Sequence, residues 1–301
     1  MQKALLYAKI ILKKDVGILY YGIISVAVLM FGFQFFFNND YEKKNGSSLI
    51  TSMVFIFGSS LVGLPVLWAI NSFKLEFTWY TLFMATVTAV NMIACIFCGQ
   101  KALSKINLSL YSIFSMLGGM LLPFFAGILF YEEKLTLGKI LCFVIVTVAL
   151  FFTFEKGQSK KGAVYYIGIF VFNGMSGVLS KIFQESTMEK TSAAGYSVLS
   201  ALMTVVIAGI VILFNLKKAE LPHKKSYVSL VGCGLLNKVA NYLLLISLAH
   251  VPASVQYPMV TGGVMIVSTI LGFFTPNKPK KKEIISLVLS FIGLMMLVII
   301  P

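Results

Sequence analysis

Residues 227–248 read YVSLVGCGLLNKVANYLLLISL, an apolar stretch with a single charge, Lys238, near its middle. A helix needs about 20 residues, at about 1.5 Å of rise each, to cross the hydrocarbon core of a bilayer. A lysine at the bilayer centre costs roughly 3 kcal/mol, so it persists only where water or a polar partner meets it. The stretch therefore predicts a membrane helix that carries either a polar packing contact or part of the wall of a substrate pathway.

Nine further stretches of the same kind fill the chain. The breaks between them are short, and none is long enough to hold a soluble domain. Hydrophobic residues make up 58% of the sequence and charged residues 12%, with a mean hydropathy of +0.90, which excludes an ordinary soluble protein. We therefore expect an all-α integral membrane protein with ten transmembrane helices. The nine other spans are predicted at roughly 15–37, 49–70, 77–100, 107–130, 137–154, 162–183, 192–216, 253–275 and 284–300.

Charge, cysteine and histidine usage narrow the class of function. The net charge of +14 lies almost wholly in loops and ends, where it suits anionic lipid headgroups rather than nucleic acid. The pair Cys95 and Cys98 lies on one face of an apolar helix, without a second pair or a nearby histidine, so we expect packing rather than a metal or redox site. His223 and His250 lie at membrane edges and offer no pairing with a nucleophile, and no glycine-rich phosphate loop is present. We expect no enzymatic activity and no cofactor.

A weak internal repeat divides the chain near its midpoint. Ala102-Leu103, followed by Ser109 and Gly118, matches Ser247-Leu248, followed by Ser254 and Gly263, at an offset near 145. We expect two five-helix repeats, residues 1–155 and 156–301, joined at the polar stretch 155–162. Because each repeat has an odd number of spans, the two would run in opposite directions across the membrane, an arrangement that is common in secondary transporters.

Several motifs are similar to those of the drug/metabolite transporter superfamily, in particular its EamA-type members. Phe31-Gly32-Phe33-Gln34-Phe35 stands where the family has a Trp-Gly-x-Asn-Phe-like element. The stretches 96–103 and 242–249 resemble the aromatic-rich ends of the third and eighth family spans. Ala102-Leu103, Ser109 and Glu132 resemble the family half-repeat, whereas the second half has Asn277 where the glutamate belongs. The resemblance covers nearly the whole chain.

The resemblance implies a central cavity lined chiefly by spans 1, 3, 4, 6, 8 and 9, with spans 5 and 10 at the periphery. It also implies that both termini face the cytoplasm. The lysines favour the opposite orientation, since cytoplasmic termini would leave 9 lysines on inside segments and 15 on outside loops. We follow the resemblance and expect a multi-pass protein of the cell membrane with both termini on the cytoplasmic side.

Polar residues within the spans that the family would use are the candidates for substrate binding. Packing between helices is the alternative role for each of them, because such side chains also bond across helices. No Asp or Glu is expected within any span, which argues against export of lipophilic cations, whereas Lys238 suits a carboxylate or phosphate group or a proton site. The candidates are Gln34, Asn91, Tyr111, Ser112, Ser115, Asn173, Ser176, Asn237, Lys238, Asn241, Tyr242, Gln256, Tyr257 and Thr261.

Small residues and prolines deep in spans 4 and 9 are the candidates for a hinge. Gly118-Gly119 and Gly262-Gly263 lie at corresponding places of the two repeats, and Pro258 removes a backbone donor nearby. Close approach of neighbouring helices is the alternative role of these glycines.

The sequence favours a secondary transporter that moves a small polar metabolite, anionic or zwitterionic, such as an amino acid or organic acid. The expected partners are that solute, a proton or sodium ion for coupling, membrane lipid and a second copy of the chain in a homodimer. A flippase for lipid-linked substrates, a drug exporter and a non-transporting membrane partner protein remain as alternatives.

Overall fold

A computed structural model describes residues 2–46, 48–103, 108–152, 163–218, 221–274 and 280–300. The predicted repeat boundary at 155–162 and residues 276–279, which belong to the break between the last two predicted spans, lie outside these ranges. Within the described residues the fold contains ten α-helices: α1 (Gln2–Asn45), α2 (Leu49–Ile70), α3 (Trp79–Leu103), α4 (Leu108–Phe130), α5 (Leu137–Phe152), α6 (Ala163–Glu185), α7 (Ala193–Leu213), α8 (Tyr227–Ser247), α9 (Ala253–Gly272) and α10 (Lys281–Ile299).

The apolar length of these helices makes the chain a multi-pass membrane protein. In the described part of the chain, seven helices contain a segment long and apolar enough to cross a bilayer, and three contain shorter apolar segments. The shorter segments are Phe114–Phe130, Leu137–Phe152 and Ile284–Leu297. Helices suit this environment because they satisfy every backbone hydrogen bond internally.

The first helix is longer than its sequence predicts. The first predicted span ends at residue 37, and Asn38-Asn39-Asp40, which follows it, has a composition typical of a turn. In the structure α1 continues through this stretch to Asn45. Lys44 pairs with Asp40 one turn away at 2.5 Å, and Asp40 also accepts a hydrogen bond from Ser229 of α8. These contacts give the Asp40 carboxylate its partners while the backbone stays helical, so the turn propensity of the stretch does not decide its structure here. The candidate spanning segment Ile18–Asn45 thus includes Asp40 and Glu42, which the sequence places after the first predicted span at 15–37.

The helices pack in a pattern that is preserved when five is added to each helix number. The contact of α1 with α8 corresponds to that of α6 with α3, and the contact of α1 with α9 to that of α6 with α4. The contact of α2 with α8 likewise corresponds to that of α7 with α3. Three further contacts, α2 with α7, α4 with α9 and α5 with α10, each join a helix to its own counterpart.

Glycines allow the tightest of these contacts. A Cβ atom at Gly118 of α4 would overlap the carbonyl group of Phe170 on α6, and one at Gly174 of α6 would overlap the carbonyl oxygen of Gly118. Gly234 of α8 lies in the same way against the backbone of Ser59 on α2. Close backbone approach through small residues is the usual basis of helix packing in membranes.

Candidate functional site

A cavity of about 460 Å³ lies between the two halves of the helix bundle. Its volume falls in the usual range for small-molecule sites. Helices α1, α2, α3, α4, α6, α7, α8 and α9 line it, and among the described residues α5 and α10 contribute nothing. Ten of the candidate binding residues line this cavity: Gln34, Ser115, Asn173, Ser176, Asn237, Lys238, Asn241, Tyr242, Tyr257 and Thr261.

Lys238 lines the cavity without an ion-pair partner among the described residues. Its aliphatic stem runs along α2, where a Cβ atom at Gly63 would lie 2.5 Å from the Lys238 Cγ. The glycine therefore makes room for the lysine, a role that the sequence alone does not reveal. An ammonium group at this depth is costly unless the cavity holds water or an anion.

Gln34 and Asn237 join α1 to α8 beside Lys238. The Asn237 Nδ2 donates a hydrogen bond to the Gln34 Oε1 at 3.1 Å, and the Asn241 Nδ2 donates to the Asn237 carbonyl oxygen at 2.8 Å. Because one amide proton of Asn237 and the oxygen of Gln34 are used in this contact, their remaining polar atoms are the ones available to a ligand.

A second polar group joins α3, α4 and α6. The Asn173 Nδ2 donates to the Ser115 carbonyl oxygen at 2.6 Å. The Asn91 Nδ2 donates to the Phe172 carbonyl oxygen and to the Ser176 Oγ, both at 2.9 Å. Asn91 is buried and does not line the cavity, so the structure places it in helix packing one layer behind the wall.

Two successive residues of α9 have different roles, since Tyr257 lies in the cavity wall and Gln256 in helix packing. The Tyr257 hydroxyl lines the cavity and donates to the Gly177 carbonyl oxygen of α6 at 3.0 Å. Gln256 is fully buried, and its Nε2 donates to the Leu244 carbonyl oxygen of α8 at 3.0 Å. Its Oε1 has no hydrogen-bond partner within the described part of the chain.

Two binding candidates and the five hinge candidates remain to be placed. Tyr111 and Ser112 lie on α4, but their side chains are outside the described residues. Of the hinge candidates, Gly119 lines the cavity. Gly118, Gly262 and Gly263 lie against neighbouring helices, and α9 is continuous through Pro258.

Two groups of wall residues were missed by the sequence analysis. The extension of α1 brings Asn38, Tyr41 and Glu42 to the cavity on the same face as Gln34. Their spacing of three or four residues, which places them on one face of a helix, could have been recognised in the sequence. Helix α7 contributes Tyr196, Ser197, Ser200 and Thr204. Tyrosine, serine and threonine are common in the contacts between membrane helices, so nothing in the sequence marks these four residues as part of a cavity wall.

A buried ionic junction lies where α4 and α6 end and α9 begins. Lys181 Nζ lies 3.0 Å from the Glu133 Oε1, with side-chain exposures of 5% and 7%, and 2.9 Å from the Glu185 Oε1. The Glu133 carboxylate also accepts hydrogen bonds from the Ala253 and Ser254 backbone N–H groups at 2.8 and 2.9 Å. It therefore caps α9, where a negative charge is favoured by the helix dipole.

Opposing effects act on the pKa of the Glu133 carboxyl. Burial raises this pKa, but the hydrogen bonds from Ser254, Lys181 and Ala253 outweigh burial and hold it below its usual value. Glu132, which the family resemblance singles out, is exposed and has a φ of 51°. The buried glutamate of this segment is its neighbour, Glu133.

The junction and the polar end of α1 lie at opposite ends of the cavity. Tyr20 of α1 stacks on His250 at a ring separation of 3.9 Å, three residues before α9 begins. Val28 and Gly32 of α1 contact Gly263 and Val267 of α9 in the same order, so the two helices run parallel. Glu42 and Gly46 therefore lie at the end remote from Glu133.

The comparisons with known proteins agree with this architecture. The family model described as the EamA-like transporter family matches residues 160–299. The C-terminal half of the chain belongs to the EamA-like transporter family. A solved crystal structure shares the fold with a TM-score of 0.71 at 15% identity, and the match covers 91% of this chain and 94% of that one. No curated protein matches the sequence. The match to the EamA-like transporter family supports a membrane transporter of the drug/metabolite kind. The structural match shows that the fold of this chain, with both halves included, also occurs in a solved structure.

Proposed function

We propose that this EamA-type protein is a secondary transporter that moves a small anionic or zwitterionic metabolite across the cytoplasmic membrane by alternating access. The observation that carries the proposal is the cavity between the two halves, which is lined by Lys238. Among the residues that the structure describes, Lys238 has no ion-pair partner. An ammonium group inside a membrane protein is stabilised by an anionic ligand, because the attraction between the charges is strong where little water is present. Binding and release of an anion thus give Lys238 a role that packing does not supply.

The helix contacts that recur when five is added to each helix number support two repeats of five helices with opposite orientation, residues 1–155 and 156–301. The contacts of α2, α4 and α5 with their counterparts α7, α9 and α10 are part of this pattern. Such a pair of repeats can rock about a central site so that first one end and then the other is open. Both termini would then lie on the same side, which we assign to the cytoplasm.

The ionic junction supports a closed gate at one end of the cavity. Glu133 connects the segment after α4 to α6 through Lys181 and to α9 through two backbone N–H groups. Tyr257 forms a second contact between α9 and α6 on the cavity side of this junction. Opening toward the Tyr20 end would require both contacts to break, whereas the cavity wall extends to Gly46 at the opposite end.

The gate can be tested with a cysteine at Ser180, which lines the cavity one residue from Lys181. In proteoliposomes, a membrane-impermeant thiol reagent applied from the Tyr20 end should modify this cysteine faster in a Glu133→Gln background. The exposed Glu132→Gln change provides the matched control. Equal rates in the two backgrounds would contradict a gate at Glu133.

A binding screen tests the proposed function itself. Purified protein would be screened by thermal shift against amino acids, organic acids, sugars and nucleosides, followed by uptake measurements in proteoliposomes for each compound that binds. We expect acids or zwitterions to stabilise the wild type and the Lys217→Met control, in which an exposed lysine is removed, but not the Lys238→Met variant. Binding that is indifferent to Lys238, or confined to neutral sugars, would refute the proposal.

A further inference from the structure

The cavity contains a second charged wall residue, Glu42, whose sign is opposite to that of Lys238. The ion pairs in the described part of the chain join Lys44 to Asp40 and Lys181 to Glu133 and Glu185, and neither Glu42 nor Lys238 takes part in one. Glu42 is partly buried. Two charges of opposite sign, neither in an ion pair within the described part of the chain, thus line one cavity inside the helix bundle. An ionic ligand group that is partly shielded from water there gains more than it would in bulk water.

The distance between Glu42 and Lys238 follows from two hydrogen bonds that fix how α1 and α8 lie against each other. Asn237 is hydrogen-bonded to Gln34, so Lys238 lies near the level of Gln34. Glu42 is eight residues further along α1, which corresponds to about 12 Å at the usual helical rise.

A second contact gives a similar answer. Ser229 is hydrogen-bonded to Asp40, at the Glu42 end of the cavity, and Lys238 follows Ser229 by nine residues on α8. That separation corresponds to about 14 Å along α8. Ligand groups that meet both side chains would therefore be about 10 to 14 Å apart, which agrees with both separations along the helices.

The wall between the two charges is polar. Gln34 and Asn38 share the α1 face that ends in Glu42, and Asn237 and Asn241 lie on the facing helix near Lys238. Amide side chains both donate and accept hydrogen bonds, so they suit the amide groups of a ligand that runs along this wall.

We infer that the cavity selects an elongated dipolar solute, with a carboxylate at Lys238 and an ammonium group at Glu42, such as a short peptide. This inference rests on the proposed transport function and names the substrate class of the same site. A free amino acid holds its two charges within one residue and reaches only one of the side chains. An extended peptide spans about 3.3 to 3.6 Å per residue, so a tripeptide or tetrapeptide has the length to reach both.

The test measures binding of glycine, diglycine, triglycine and tetraglycine to the purified full-length protein by calorimetry. N-acetyl-triglycine, which lacks the ammonium group, and triglycine amide, which lacks the carboxylate, serve as capped probes. We expect affinity to rise at least tenfold from glycine to the better of triglycine and tetraglycine, and to fall at least fivefold for either capped probe. This length and capping series uses the wild-type protein and does not depend on the folding of a variant.

The variants assign each end of the ligand. The Glu42→Gln variant should bind triglycine and N-acetyl-triglycine with similar affinity, because the partner of the ammonium group is gone. The Lys238→Met variant should bind triglycine and triglycine amide with similar affinity, because the partner of the carboxylate is gone. Glu132→Gln, which lies outside the cavity, should behave as the wild type.

Two results separate the inference from the proposed function. If N-acetyl-triglycine or simple organic acids bind as tightly as triglycine, and depend on Lys238 but not on Glu42, the dipolar inference is wrong while anion transport stands. If no acid or peptide responds to Lys238→Met, both are wrong.

Discussion

Glu133 and Lys181 form an ion pair of 3.0 Å in which both side chains are almost completely buried. Each has a second partner: Glu133 caps the first turn of α9, and Lys181 also contacts Glu185. Gly127 of α4 is needed for this arrangement, since a Cβ atom there would lie 2.7 Å from a carboxylate oxygen of Glu133. The pair therefore joins three helices that the sequence places far apart.

The first prediction concerns the strength of this junction. Lys181→Met leaves the Glu133 carboxylate buried beside apolar groups, and breaking a buried pair in this way costs roughly 3 kcal/mol. We expect a correspondingly lower free energy of unfolding in detergent, measured by chemical denaturation. Glu132→Gln, an exposed neighbour, should change it by less than about 0.5 kcal/mol. Equal losses in the two variants would contradict a special role for the pair.

The second prediction concerns pH. Because the pKa of the Glu133 carboxyl is held below its usual value, its charged form stabilises the fold above the unfolded-state pKa of about 4.5. This contribution is lost only as the pH falls through the lower, folded-state pKa. The stability difference between the wild type and Glu133→Gln should thus be constant from about pH 8 to 6 and shrink below about pH 4.5. A difference that disappears between pH 7 and 6 would show that the carboxyl pKa is raised instead.

The third prediction concerns Lys238. Lys238→Met keeps the length and apolar character of the side chain but removes the charge, so the protein should fold while transport of the cognate substrate falls to background. Lys238→Arg should retain partial transport if the lysine binds an anion, because a guanidinium group also binds anions. It should retain none if the lysine must release a proton, because arginine stays charged. Uptake into proteoliposomes checks both. Full transport by the methionine variant would return Lys238 to a packing role.

The fourth prediction maps the wet surface of the cavity. In a background without the native cysteines, single cysteines at Gln34, Asn38 or Asn241 should react with a water-soluble thiol reagent, since all three line the cavity. Cysteines at Asn91 or Gln256 should react far more slowly, because both positions are buried behind the wall. Val144, on the exposed apolar face of α5, provides a lipid-facing control. Uniform protection of the first group would argue for a dry, packing-only interior.

The fifth prediction concerns the approach of α4 to α6. Gly118→Ala places a methyl group on the backbone of Phe170, and overpacking of this kind costs about 1 to 3 kcal/mol or more when backbone must move. Gly22→Ala on α1 meets nothing within 4 Å and should be neutral or slightly stabilising, because alanine favours helix. Thermal unfolding of the two purified variants compares them directly. Equal melting temperatures would mean that α4 and α6 are less closely packed than described.

The helical class and the approximate spans follow from the sequence, because apolar length alone decides whether a segment leaves water. The importance of Lys238 also follows from the sequence, since a charge within an apolar stretch needs a reason wherever the helix packs. The prediction that spans 5 and 10 stand apart from the cavity came from the family resemblance, and the described residues agree with it. The repeat boundary at residues 155 and 156 stays a prediction.

Tertiary structure decided what sequence spacing leaves open. Gln34 and Asn91 are both amides within apolar stretches, yet Gln34 lines the cavity and Asn91 is packed behind it. The difference depends on how α1 and α3 are rotated against their neighbours, which a single helix does not encode. Asn38-Asn39-Asp40 has the composition of a turn, but Ser229 and Lys44 supply partners that keep it helical. Because α1 remains helical through this stretch, Glu42 lies on it and lines the cavity. Contacts with a distant helix, α8, thus decide the structure of a polar stretch whose composition alone predicts a turn.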